Sequence, residues 1–190
     1  MVKFENLRFQ GITTFSGSAF TLGGNSTVGF MKIHFEDFTD FGSTRFQSQV
    51  VFSDGSFESE TEFIDTSFET VRSSARYRGA AVEFNQIEVM KDAALTFKGT
   101  DPQNKMFNHD VQFSFKEQLV AIIRFQNVNF NKISPASRDR LMRLAKSGKV
   151  EIGSGCTSID FRPTSERFPS AKTMLRLSSS SARHSQTILQ

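Results

Sequence analysis

Apolar positions recur along the first part of the chain with a regular metre. Phenylalanine recurs at 4, 9, 15, 20, 30, 35, 41, 46, 52, 57, 63 and 68, and apart from the additional Phe38 the steps from Phe30 to Phe68 alternate between five and six residues. Two positions before most of these rings the side chain is small or β-branched: Thr13, Ser18, Val28, Ile33, Thr39, Thr44, Val50, Gly55, Thr61 and Thr66. Residues i−2 and i share one face of a strand. Each unit therefore predicts a short strand with one small and one large side chain turned inward. Turn-prone or polar residues such as Asp40, Gly42, Asp54-Gly55 and Asp65 separate the units. A mean step of about 5.5 residues would walk around a helix instead of forming one stripe, and the β-branched and aromatic content also favours strands.

The same unit persists further on, in Ala75-Arg-Tyr77, Ala80-Ala-Val82, Val111-Gln-Phe113, Ile123-Arg-Phe125 and Val128-Asn-Phe130. Between them, residues 99–108 read as an exposed loop. At Ser134-Pro135 the pattern turns helical over 135–147, with Ser134 as N-cap, Pro135 at the first helical position and Gly148 at the C-cap. Leu141, Leu144 and Ala145 form its apolar stripe, and a short strand, Val150-Glu-Ile152, is expected after it. From Pro163 onward the chain is rich in Ser and Arg and is expected to be a flexible tail. Three segments follow from this: a Phe-rich repetitive β domain over 1–131, a basic capping helix and short strand over 132–162, and the tail over 163–190.

The small–any–Phe unit resembles the pentapeptide-repeat family, most closely at Thr61-Glu-Phe63-Ile-Asp65, Thr66-Ser-Phe68-Glu-Thr70 and Ala75-Arg-Tyr77-Arg-Gly79. The resemblance spans residues 4–84 and patches of 107–130. It implies a mainly β fold, a right-handed quadrilateral β-solenoid with the small and large positions inside, here ended by a C-terminal capping helix. The six-residue steps depart from the family's even step of five. Bulged corners would absorb them, and so would hairpins of about eleven residues in an antiparallel β-sandwich or meander. The family has no common catalytic residues to carry over.

Composition sharpens this picture at a few points. Twenty-two Phe, one Tyr and no Trp describe a slot filled many times by one side chain. A single cysteine, Cys156, excludes an intrachain disulfide framework. With no apolar leader at Met1-Val-Lys-Phe and no long apolar run, a cytoplasmic protein with no membrane contact is expected. Net charge is +3, divided as −6 over 1–70, +2 over 71–131 and +7 over 132–190. That polarity fits docking on another protein with an acidic surface, or self-association.

Chemistry is sparse. Cys156, in Gly153-Ser-Gly-Cys-Thr, would be a nucleophile only with His109 or His184 as base, and a small turn or core residue is the expected role. His34, His109 and His184 have no metal-ligand spacing, so neither metal nor other cofactor is expected. Glu36, Asp37, Asp40, Asp54, Glu58, Glu60, Glu62 and Asp65 flank the Phe units, where a calcium ladder or DNA-like face competes with an ordinary solvated strand surface; the latter is expected. No catalytic constellation emerges, and a non-enzymatic interaction or scaffold module is the expected function. Its candidate contacts are Arg138, Arg140, Arg143, Lys146, Lys149, Arg162, Arg167, Lys172 and Arg176. The alternative is a nucleic-acid-associated protein using the same basic residues on phosphates.

Overall fold

The computed structural model describes residues 1–22, 26–69, 80–103, 106–116 and 121–157. Among them, those within Met1–Ile159 form one compact unit, and Asp160–Gln190 lie outside the described residues. The expected tail over 163–190 and the unit Ala75-Arg-Tyr77 also lie outside them.

The Phe metre becomes short strands. A first circuit contains β1 (Val2–Glu5), β2 (Arg8–Phe9), β3 (Thr13–Thr14) and β4 (Ala19–Phe20). A second contains β5 (Thr27–Met31), β6 (His34–Phe35), β7 (Thr39–Asp40) and β8 (Arg45–Phe46), and a third β9 (Gln49–Ser53), β10 (Ser56–Phe57), β11 (Thr61–Ile64) and β12 (Ser67–Phe68). Longer strands follow: β13 (Val82–Val89), β14 (Ala94–Lys98), β15 (Val111–Phe115) and β16 (Ile122–Gln126). Helix α1 (Pro135–Lys146) and strand β17 (Val150–Ile152) close the described chain.

Every strand pair is parallel. Val28 pairs with Val50, His34 with Ser56, Thr39 with Thr61 and Arg45 with Ser67, each partner 22 residues on. Two five-residue and two six-residue steps thus make one circuit, visiting four strand columns in rotation. The antiparallel sandwich or meander is therefore wrong: eleven residues is half a circuit, not a hairpin. The first and second columns merge into one sheet through β13, which bends across both, while the third column is six-stranded and the fourth three-stranded.

The corners explain the metre. Asn6, Lys32, Ser43, Asp54, Asp65, Gln86 and Asn127 all have φ between 51° and 56°, and Gly17 has φ 70°. Each lies two residues after a ring of the first or third column. A five-residue step turns the corner with one left-handed residue, while a six-residue step turns with an additional residue and none. Asn, Asp and Gly tolerate that conformation best, and they hold five of these eight positions. Gly55 is required for a different reason, because a Cβ there would lie 2.2 Å from the Ile33 carbonyl oxygen of the circuit below.

Inside, the rings stack along the columns. Phe4, Phe30, Phe52, Phe84 and Phe113 follow one another at centroid distances of 5.0, 4.7, 5.0 and 5.1 Å. Phe15, Phe41, Phe63, Phe97 and Phe125 form the opposite stack at 4.8, 4.6, 5.0 and 5.4 Å. The two stacks meet edge to face, as in Phe41–Phe52 at 5.6 Å and 87°. Phe9, Phe35 and Phe57 stack in the second column, and Phe20, Phe46 and Phe68 in the fourth.

Two local expectations fail. Residues 99–108 are not simply an exposed loop: Gly99, Met106 and Phe107 are buried, and the Phe107 ring sits 6.1 Å from Phe68 where a further fourth-column ring would lie. Val128-Asn-Phe130 is no strand unit. Val128 makes an isolated bridge to Met106, and Phe130 begins a 3-10 turn over Phe130–Lys132.

Phe52 is buried between two stacked neighbours, whereas Phe9 is half-buried with one. Phe52→Ala should cost about 3–5 kcal/mol through lost burial and a cavity, and Phe9→Ala less than about half of that. Urea midpoints at constant m-value check this; equal costs would contradict it.

Candidate interaction surfaces

The helix begins as its sequence predicts. Ser134 is the N-cap, its hydroxyl accepting from the Ser137 amide at 3.4 Å, Pro135 opens the first turn, and Gly148 follows the last turn with φ 72°. Ser137 does something the sequence reading missed. Its hydroxyl accepts from the Phe113 amide at 2.8 Å and donates to the Phe113 carbonyl at 3.0 Å. The Ser134 amide donates to the Val111 carbonyl at 2.9 Å. The outer edge of β15 is thus closed by the start of α1, with no further strand at that point. A small polar residue on the apolar face of the helix was the available signal, and its meaning depended on what lay beneath.

Leu141 is buried, with Leu144 and Ala145 packed against the core. The exposed face carries Pro135, Ala136, Asp139, Arg143 and Lys146. The basic residues do not form one stripe. Arg143 and Lys146 share the exposed face with Asp139, and both lie in the last turn, where positive charge also suits the helix dipole. Arg138 and Arg140, two residues apart and so on opposite flanks, are half-buried. Arg140 donates to the Lys116 carbonyl at 3.2 Å. Lys149 is half-buried after the helix, and Arg162, Arg167, Lys172 and Arg176 lie outside the described residues.

The acidic residues gather elsewhere. Glu36, Asp37, Asp40, Glu58, Glu60 and Glu62 follow the corner between the second and third columns over two circuits. Most are held by their own chain: Glu36 by Arg8 at 2.6 Å, Asp37 by the Phe38 amide at 2.7 Å, Asp40 by the Gly42 amide at 2.6 Å and Glu58 by the Ser56 hydroxyl at 2.9 Å. Glu60 lies 3.8 Å from Arg124. Asp54 and Asp65 are left-handed corner residues instead, and Asp65 accepts from the Thr100 amide and hydroxyl at 2.7 and 2.5 Å. Among the described residues no group of three or more His, Cys, Asp or Glu could hold a metal ion.

Of the remaining candidates, His34 and Cys156 are in contact with neighbouring strands. His34 does not simply face water: its Nδ1 lies 2.7 Å from the Ser56 hydroxyl of the next circuit. Cys156 is half-buried against the core, with its thiol 3.7 Å from the Phe125 carbonyl, and His184 lies outside the described residues. A cavity of about 270 Å³ opens over the edge of β12, between Asp65–Phe68 and the Gly99–Asp101 and Met106–Asn108 segments. Among the described residues no helix is long and apolar enough to cross a membrane. No family model, curated protein or solved structure matches the chain.

On the acidic corner, burial first, and then the charges of Glu60 and Asp40, push the Glu62 carboxyl above its ordinary 4.5, with Lys98 opposing. A carboxyl raised on folding stabilises the fold while protonated, and that contribution is lost as pH rises through the raised value. Glu62→Gln should therefore raise the thermal midpoint at pH 7, with the difference closing below about pH 4.5. Thermal melts across this range check the sign; a variant less stable at pH 7 would contradict it.

Proposed function

We propose that the chain is a β-solenoid of the pentapeptide-repeat type, serving as a rigid non-enzymatic scaffold that docks an acidic protein surface. The parallel in-register pairing, at 26-residue intervals from β1–β4 to β5–β8 and 22-residue intervals from β5–β8 to β9–β12, supports the solenoid. Right-handedness follows from the general rule for crossovers between parallel strands. A cytoplasmic setting fits the lone Cys156.

The observation that carries the docking reading is the clamp at the start of α1. Ser134 and Ser137 fix the helix to the edge of β15, and the exposed side then presents Arg143 and Lys146 on a rigid base. A preformed surface costs little ordering entropy on binding. The separation of Arg138 from Arg140 to opposite flanks suits a small patch on a protein better than a continuous phosphate track.

The test is affinity capture from nuclease-treated native lysate, comparing the wild-type chain with Arg143→Glu/Lys146→Glu. The expected result is a defined protein partner bound about tenfold or more weakly by the variant, with an unchanged far-UV spectrum and a thermal midpoint lowered only slightly through the helix dipole. Identical capture by both chains would overturn the reading. Binding to a nucleic-acid duplex that falls steeply between about 50 and 200 mM salt would favour the nucleic-acid alternative.

A further inference from the structure

The two ends of the strand stack are finished differently. At the late end, Ser134 and Ser137 satisfy the edge of β15. At the early end, β1 to β4 are the outermost strands of their columns, and no strand among the described residues pairs with their outer edges.

In a parallel ladder the backbone groups of alternate residues face opposite neighbours. In β2, the carbonyls of Leu7 and Phe9 accept from His34 and Glu36, both at 2.9 Å, so the backbone of Arg8 between them faces outward along the stack. In β3, the amides of Thr13 and Phe15 donate to Phe38 and Asp40 at 2.9 and 2.8 Å, which turns the backbone of Thr14 outward. In β4, Ser18 and Phe20 accept from Arg45 and Gln47 at 2.8 and 3.1 Å, leaving Ala19 outward. Lys3 and Glu5 stand in the same position on β1, whose end is fixed by the Asn6 amide on the Met31 carbonyl at 3.1 Å.

The apolar surface is open along with the backbone. Phe4, Phe9, Phe15 and Phe20 are half-buried, whereas their counterparts Phe30, Phe35, Phe41 and Phe46 are no more than 2% exposed. Ile12 is 74% exposed, Leu7 41% and Val2 38%. Exposed edges are ordinarily guarded by lysine, proline, bulges or a covering element. Residues 1–22 contain no proline, and their only charged side chains are Lys3, Glu5 and Arg8. Lys3 is paired with Glu5 at 2.7 Å and Arg8 with Glu36 at 2.6 Å.

A single added strand would cover one of the four edges and leave three edges and most of the ring surface wet. Another four-sided circuit of the same size would cover all four together. The chain itself offers one, the same open end of a second copy. We propose that two copies pair end to end through β1–β4 about a two-fold axis across the stack. Such an axis brings the same surface of each copy together and reverses the direction of the circuit, so the new strand pairs are antiparallel. Lys3 and Arg8 are already ion-paired within each copy, which limits like-charge repulsion across the interface. This inference concerns a different surface from α1 and stands independently of what the helix binds.

The test is the mass of the full 190-residue chain by sedimentation equilibrium across about 1–100 µM, where mass action governs association. The expected mass is twice 21.4 kDa. Ile12→Lys/Thr14→Lys places guarding charges in and just before β3, at two exposed positions; it should give the 21.4 kDa monomer with an unchanged far-UV spectrum. Arg143→Glu/Lys146→Glu should stay dimeric. If the lysine variant misfolds, amide exchange in the wild-type chain decides: the Arg8, Thr14 and Ala19 amides should gain protection as concentration rises. A monomer at every concentration, a dimer that survives the lysines in a folded variant, masses growing beyond the dimer, or concentration-independent exchange at these amides would overturn the proposal.

Discussion

The structure depends on a match between two lengths. Stacked aromatic rings settle near 5 Å apart, and hydrogen-bonded strands lie about 4.8 Å apart. A ring placed at the same point of every circuit therefore lands in contact with the ring below without any adjustment of the ladder. The observed centroid distances of 4.6 to 5.4 Å along the four columns are this match in practice. It accounts for a composition with twenty-two Phe and no Trp. Any other large side chain in a column would break the period, and Tyr or Trp would bring a polar atom needing a buried partner.

Much of this was legible from the spacing of the rings, because residues i−2 and i must share a face whatever the strand pairs with. Direction was not legible, since an inward-facing period of two is common to parallel and antiparallel strands. The discriminating signal lay in the residues two after alternate rings. Asn6, Gly17, Asp54, Asp65 and Asn127 mark left-handed corners, and their restriction to the five-residue steps separates two corner types within a circuit. Lys32, Ser43 and Gln86 obscure that signal, because their side chains give no hint of a left-handed backbone. Met106 and Phe107 were hidden for another reason: they fill a place in the fourth column that the ring metre had already abandoned.

The candidate surface was legible to a similar degree. Local rules set the bounds of α1, since Ser134, Pro135 and Gly148 act on their own neighbours. The role of Ser137 depends on Phe113, which lies 24 residues earlier, and no local rule reaches that far. The same limit applies to the charges. A count of basic residues over the last third of the chain does not reveal that Arg138 and Arg140 are half-buried on opposite flanks. Nor does it reveal that the acidic residues of the first third are mostly occupied by amides, hydroxyls and arginines of their own chain. The start of α1 covers the edge of β15, and among the described residues no strand pairs with the outer edges of β1–β4.

The parallel circuit, repeating after 26 residues from β1–β4 to β5–β8 and after 22 from β5–β8 to β9–β12, is the claim on which these arguments rest, and through-space NMR contacts between backbone protons test it most directly. Cross-strand contacts should link the neighbourhoods of Ala19, Arg45 and Ser67, and those of Arg8, His34 and Ser56, with both partners of each pair advancing in the same chain direction. Contacts between segments about eleven residues apart, with one partner advancing as the other recedes, would mark antiparallel hairpins and contradict the account.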